Sequence, residues 1–241
     1  MNLVVDIGNT RTKIGVFHNR DIVYYEAFYN ITAKDIEKVL LNFPNTNKSI
    51  ISSVGKLNTE FKDFLHTRLL VLEFNNQLKV PITNKYTTIS TLGKDRLAGV
   101  VGVRELFPNT NCLVIDAGSC ITIDLIDNKG VYYGGSISPG INMKYKALNT
   151  FTSSLPLLID NFLNQEIIGN STDSSIISGV MNGTVMELKG FIDYYTNRYS
   201  DLKVIFTGGD SKILQNYFLE NTLLEEQLVL LGLNIILDTN A

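Results

Sequence analysis

The chain has no tryptophan, only two cysteines (Cys112 and Cys120), two histidines (His18 and His66) and five prolines in 241 residues. Two cysteines with no metal-ligand spacing exclude a disulfide framework and a zinc centre as organising principles. The two histidines stand far apart and read as solvated surface positions. Nowhere do 18 apolar residues run together, so no membrane span is expected. Asp6, Arg11 and Lys13 interrupt the apolar start at once, so no secretory signal is expected either, and the expected compartment is the cytoplasm. With a net charge of −3 and no run of five or six like charges, the chain lacks the basic stripe of a nucleic-acid binder. A single nucleotide stays compatible, because a few backbone amides and one lysine can hold phosphates. Also missing are G-x-x-x-x-G-K-[ST] and a G-x-G-x-x-G turn after a strand, which removes the P-loop and dinucleotide-binding classes.

What is present suits a packed core: 44% hydrophobic and 19% charged residues. Three strand-like runs open the chain, Leu3–Ile7, Thr12–His18 and Ile22–Phe28, broken by the turn formers Gly8-Asn9 and Asn19-Arg20-Asp21. A helix follows over Thr32–Phe43, with Thr32 as its cap and Ile36, Val39, Leu40 and Phe43 on one stripe. Ser49–Val54 reads as a strand, Thr59–Leu70 as a helix and Val71–Phe74 as a strand, an order that resembles a ribonuclease-H-like lobe. A helix with a small-residue face covers Gly93–Phe107.

A second round then begins with strands at Cys112–Asp116, Ile121–Ile126 and Gly130–Ser136. Helices are expected near Ile141–Leu148, over Asp173–Tyr199, at Ser211–Tyr217 and at Glu225–Leu237, with a strand at Leu202–Phe206. The expected fold is therefore α/β, two ribonuclease-H-like (actin-like) lobes of mixed sheet flanked by helices. The division is 1–110 and 111–241, and facing lobes would leave a ligand cleft.

Five segments bear on chemistry. Asp6-Ile7-Gly8-Asn9-Thr10-Arg11-Thr12-Lys13 ends a strand in a glycine turn whose amides can face an anion, with Lys13 adding charge. Asp6 is placed to hold hydrated Mg²⁺. An ordinary Gly-Asn hairpin would look similar, but the pattern returns at Asp116-Ala117-Gly118-Ser119-Cys120, with Thr122 matching Thr12, although the apolar alternation beyond them is out of phase. Gly93-Lys94-Asp95-Arg96 supplies a carboxylate and cations at a helix start, which suits a proton acceptor in phosphoryl transfer; equally, Asp95 could cap the helix with Arg96 paired on the surface. Gly134–Gly140 is either a structural crossover or a pocket loop, and Thr207-Gly208-Gly209-Asp210 either a common turn or a seat for a flat ring.

Taken in chain order, these segments resemble type III pantothenate kinase, of the actin/hexokinase/Hsp70-like ATPase superfamily, from Asp6 to Asp210. The resemblance implies ATP-dependent phosphorylation of pantothenate, with Asp6–Lys13 and Ser119 on ATP and Asp95 as the base. It implies pantothenate contacts from Tyr86, Gly93, Lys94, Asp95, Arg96 and Thr172. Asp116 would hold a monovalent cation (K⁺ or NH₄⁺), Mg²⁺ would come with ATP, and the protein would be a homodimer touching neither nucleic acid nor membrane. Ser119 stands where the family usually has threonine; the hydroxyl is kept. Two rivals are a sugar acceptor, as in other kinases of the superfamily, and a nucleotide-binding accessory factor for gene expression.

Overall fold

The computed structural model describes residues 1–53, 59–159, 166–218, 220 and 222–241. Val54, the expected end of its strand, lies outside the described residues. The first elements are β1 (Asn2–Ile7), β2 (Thr12–His18), β3 (Asp21–Phe28), α1 (Ala33–Asn42), β4 (Lys48–Ser53), α2 (Thr59–His66), β5 (Leu70–Glu73), β6 (Thr83–Asn84) and α3 (Lys94–Leu106). They are followed by β7 (Cys112–Ala117), β8 (Cys120–Ile126), β9 (Val131–Pro139), α4 (Ile141–Thr150) and α5 (Thr172–Thr196). The chain ends with β10 (Lys203–Thr207), α6 (Ser211–Gln215), β11 (Thr222–Leu224) and α7 (Leu228–Asn240). None of the described helices is long and apolar enough to cross a membrane.

The chain forms two compact units, the first made of Met1–Pro108, Gly130–Tyr132 and Gln227–Ala241. Its sheet runs β3-β2-β1-β4-β5, antiparallel across β1–β2–β3 and parallel across β1–β4–β5. Strand alternation sends Leu3, Val5, Ile14, Val16 and Ile51 to one face, where Ile36, Val39, Phe61 and Leu65 of α1 and α2 cover them. Thr32 and Asp35 cap α1 reciprocally. Helix α2 stops at His66, short of the expected Leu70, because Leu70 turns its N–H to the Asn47 carbonyl (3.0 Å) and starts β5.

The expected boundary at residues 110/111 put the terminal helix in the second lobe; the contacts put it in the first. Helix α7 buries nearly every residue from Leu228 to Leu237, so it reads as apolar all round. It crosses α3 at glycines: a Cβ on Gly232 would stand 1.8 Å from the Ala98 carbonyl oxygen, and one on Gly102 2.5 Å from that of Leu228. Asn234, fully buried, accepts from Asn2 Nδ2 (2.8 Å) and donates to the Asn19 carbonyl (2.8 Å), pinning α7 to β1 and the β2–β3 turn. Gly232→Ala must push two helices apart, and overpacking of this kind costs about 1–3 kcal/mol or more. A lowered melting temperature is the expected result, and an unchanged one would refute the close crossing. The helix also starts later than expected, because Glu225 still gives its N–H to the Phe206 carbonyl (2.9 Å), carrying the pairing of Thr222–Leu224 with β10 one residue further.

The second unit is Asn109–Lys129 and Tyr133–Glu226. Its strands run β11-β10-β7-β8-β9, with β7 parallel to β10 and antiparallel to β8. Ile177, Val180, Met181 and Leu188 of α5 pack with Ile141 and Tyr145 of α4 on Leu113, Ile115 and Ile123. Both expected opening strands of the repeat are therefore present in each unit, on α/β mixed sheets.

Candidate active site

Strands β1 and β4 are parallel neighbours, so their carboxyl ends meet at one edge of the first sheet. Such an edge is where open α/β sheets place ligands. Asp6, next to last in β1, lies opposite Lys13 of β2 and beside Ser52 of β4. The turn between β1 and β2 is closed by Gly8 N–H donating to the Arg11 carbonyl (3.1 Å), which leaves Gly8, Asn9, Thr10 and Arg11 exposed, while Thr12 is buried and Ile7 partly so. Arg11 is held at its edge by Tyr29, whose hydroxyl accepts from Nη2 at 2.8 Å.

Helix α3 brings the second carboxylate. Gly93 is its cap residue, and Lys94 Nζ donates to the Ser53 carbonyl (3.0 Å), tying the helix start to the end of β4. Asp95 is then near enough for its charge to act on Asp6. Loss of hydration is the main cause that pushes the Asp6 carboxyl from 3.8 up to about 6; Lys13 pulls it down, Asp95 pushes it up and the Ser52 hydroxyl pulls it down. A partly desolvated carboxylate facing a second carboxylate favours a bound cation. A hard divalent ion needs few protein carboxylates when water and phosphates complete its shell, and Asp6 alone fits that requirement.

Arg96 does not pair on the surface: it is only 5% exposed, with its guanidinium carbon 5.4 Å from the centre of the Tyr86 ring. Nor is Asp95 the helix cap; its Oδ1 accepts from the Arg96 N–H (2.8 Å). Tyr86, Gly93, Lys94, Asp95 and Arg96 thus gather in the first unit with Asp6 and Lys13.

Asp116, Ser119 and Thr172 belong to the second unit. Asp116 lies between Thr207 of β10 and Thr122 of β8. Gly118 N–H donates to the Cys120 carbonyl (2.9 Å), Gly140 N–H to that of Ser119 (3.2 Å) and Asp210 N–H to that of Ala117 (2.8 Å). Three motifs far apart in sequence therefore converge on one turn. Gly208, at φ +95, has no room for a side chain, since a Cβ would lie 2.3 Å from Asp116 Oδ1. Ser119 is exposed, and Thr172 is exposed in the first turn of α5, after the Ser171 cap.

The two turns are not equivalent in register. Asp6 faces Lys13, whereas Asp116 faces Thr122, so the second turn is one residue shorter and Thr122 matches Lys13 rather than Thr12. That slip explains why the apolar alternation beyond the turns is out of phase. It also places Thr122 across from Asp116 where the first turn has Lys13 across from Asp6. Sequence reasoning missed Ser52 and Ser53; two consecutive serines ending an apolar strand were the available signal.

A family model described as type III pantothenate kinase matches residues 2–194. A type III pantothenate kinase of Christiangramia forsetii is 42% identical over 241 residues, covering 100% of this chain and 99% of that protein. A solved structure described as a Baf family transcriptional activator from Campylobacter jejuni aligns with a TM-score of 0.62 at 23% identity, over 98% of this chain and 97% of the other. Another, described as an N-acetylmannosamine kinase from Listeria monocytogenes, aligns at 0.52 and 13%, over 98% of each chain. At such identities the structural likenesses speak to fold alone, an α/β architecture of two mixed sheets flanked by helices.

Proposed function

This chain belongs to the type III pantothenate kinase family, and we propose that the carboxylates Asp6 and Asp95 carry the chemistry of its reaction. It transfers the γ-phosphoryl group of ATP to pantothenate in coenzyme A biosynthesis. Asp95 accepts the proton of pantothenate's primary hydroxyl as that oxygen bonds to the γ-phosphorus. The bond from phosphorus to the ADP oxygen breaks in line, and 4′-phosphopantothenate and ADP leave. Turn amides of Asn9 and Thr10 and the Lys13 ammonium hold the phosphates, so catalysis is mainly positioning and electrostatics. Mg²⁺, held by Asp6 with the phosphates, would neutralise their charge.

Tyr86, Gly93, Lys94, Arg96 and Thr172 contact pantothenate. Ser119 contacts ATP, and Asp116 is the ligand of a monovalent cation, K⁺ or NH₄⁺. The working form is a cytoplasmic homodimer. The observation that carries this reading is the placement of Asp95 near enough for its charge to act on Asp6: one carboxyl is desolvated beside a lysine, and the other stands at a helix start next to a buried arginine.

A coupled ADP-release assay with ATP, Mg²⁺ and K⁺ tests the acceptor. Pantothenate should support turnover and a panel of sugars should not; phosphorylation of a sugar in preference to pantothenate would overturn the assignment. Omitting K⁺ and NH₄⁺ should slow the reaction, and indifference to both would remove Asp116 from its role.

A further inference from the structure

Tyr86 sits on a thin support. The strand before it, β6, is two residues long, and its own N–H is held only locally, by Asn84 Oδ1 at 2.9 Å. A ring on such a connection would ordinarily sample several rotamers, and ordering it on binding would weaken affinity. What the ring meets is Tyr132, the second residue of β9. The two rings are nearly parallel, 7° between planes and 6.3 Å between centres. Tyr132 is completely buried. Its backbone is fixed from the same side, since Lys85 N–H donates to the Tyr132 carbonyl (2.9 Å) and Thr83 N–H to that of Gly130 (2.9 Å). The Arg96 guanidinium then lies over the Tyr86 ring. A buried ring, a half-buried ring and a buried cation thus form one continuous stack, and its Arg96 end is the residue after Asp95.

We propose that Tyr132 is a positioning residue for the acceptor: it holds Tyr86, and through Tyr86 the Arg96 guanidinium, in the orientation that receives pantothenate. This rests on the reading that Tyr86 and Arg96 face pantothenate. Tyr132 itself touches no reacting group. Its work is preorganisation, so its loss acts on acceptor affinity and leaves the phosphate turn and Asp95 alone.

Parallel aromatic pairs contribute enough that removing one partner should raise KM for pantothenate by about 3- to 10-fold. Tyr132→Leu keeps apolar bulk and loses the ring; Tyr132→Phe keeps the ring. The first should show that rise with KM for ATP and kcat within about twofold of the parent. The second should restore the parent KM. Tyr86→Ala should raise the same constant, and adding Tyr132→Leu to it should raise it no further. If Tyr86→Ala raises KM and Tyr132→Leu does not, the positioning role is overturned and the acceptor pocket stands. If Tyr86→Ala leaves KM unchanged, the pocket reading fails, and the proposal with it.

A second variant covers the case in which Tyr132→Leu does not fold. Because the chain has no tryptophan, Tyr132→Trp introduces its single indole while keeping a flat ring against Tyr86. Pantothenate should change the emission of that variant, and Tyr86→Ala in the same chain should abolish the change. Emission indifferent to pantothenate would overturn the proposal as directly as an unchanged KM.

Discussion

Replacing Asp95 by asparagine is expected to cut turnover by about 10²-fold or more, the usual scale for losing a general base. Asparagine fills the same volume and can still accept from the Arg96 N–H as Asp95 Oδ1 does, so α3 should keep its start. What disappears is the proton acceptor and one negative charge. That charge is among the causes that push the Asp6 carboxyl upward, so removing it should make Asp6 easier to ionise. The substitution therefore improves the electrostatics of the phosphate side while abolishing the acceptor side. Catalysis and nucleotide affinity should separate, which a merely structural aspartate would not produce.

Asp6→Asn is expected to lower turnover by about 10²-fold or more, the range for removing one element of transition-state charge handling. The same change should stabilise the ligand-free protein at neutral pH. Asp6 has a folded value near 6 against an ordinary value of 3.8, so the folded chain binds more protons than the unfolded chain between those limits. Its contribution to stability is then most favourable below about pH 4, declines as pH rises toward 6, and is flat above. A rise of that size corresponds to at most about 3 kcal/mol, reduced to about 1–2 kcal/mol because Asp6 keeps some contact with solvent. The variant should melt a few degrees higher than the parent at pH 7 and equal to it below pH 4, in the absence of metal and nucleotide. A variant that is both inactive and less stable at pH 7 would contradict the desolvated carboxylate.

Much of the first unit was legible because its signals are local. Gly8-Asn9 and Asn19-Arg20-Asp21 mark turns whatever packs on them, and β2 runs over Thr12–His18 as its pattern predicts. The helix carrying Asp95 was legible from Gly93 and Pro108, within one residue at either end. Placement of α7 was not legible. A helix apolar on every side says only that it is covered, and its partner is chosen by Gly102 and Gly232, whose spacing from one another spans most of the chain. The one-residue difference between the two turns was visible as an out-of-phase alternation, but only the cross-strand partners of Asp6 and Asp116 show its cause. Arg96 misled for a related reason: next to an aspartate at a helix start, an arginine reads as surface, and the stack that buries it comes from Tyr86 and Tyr132. Ser52 escaped notice because its role depends on a parallel strand pairing that no local pattern encodes.

The division of labour between the two carboxylates is tested most directly by the affinity of Asp95→Asn for Mg²⁺-ATP, measured by equilibrium titration on the same preparation used for turnover. The expected Kd is within about threefold of the parent while kcat is down by about 10²-fold or more. Near-parental turnover, or a loss of nucleotide affinity that matches the loss of turnover, would contradict that division.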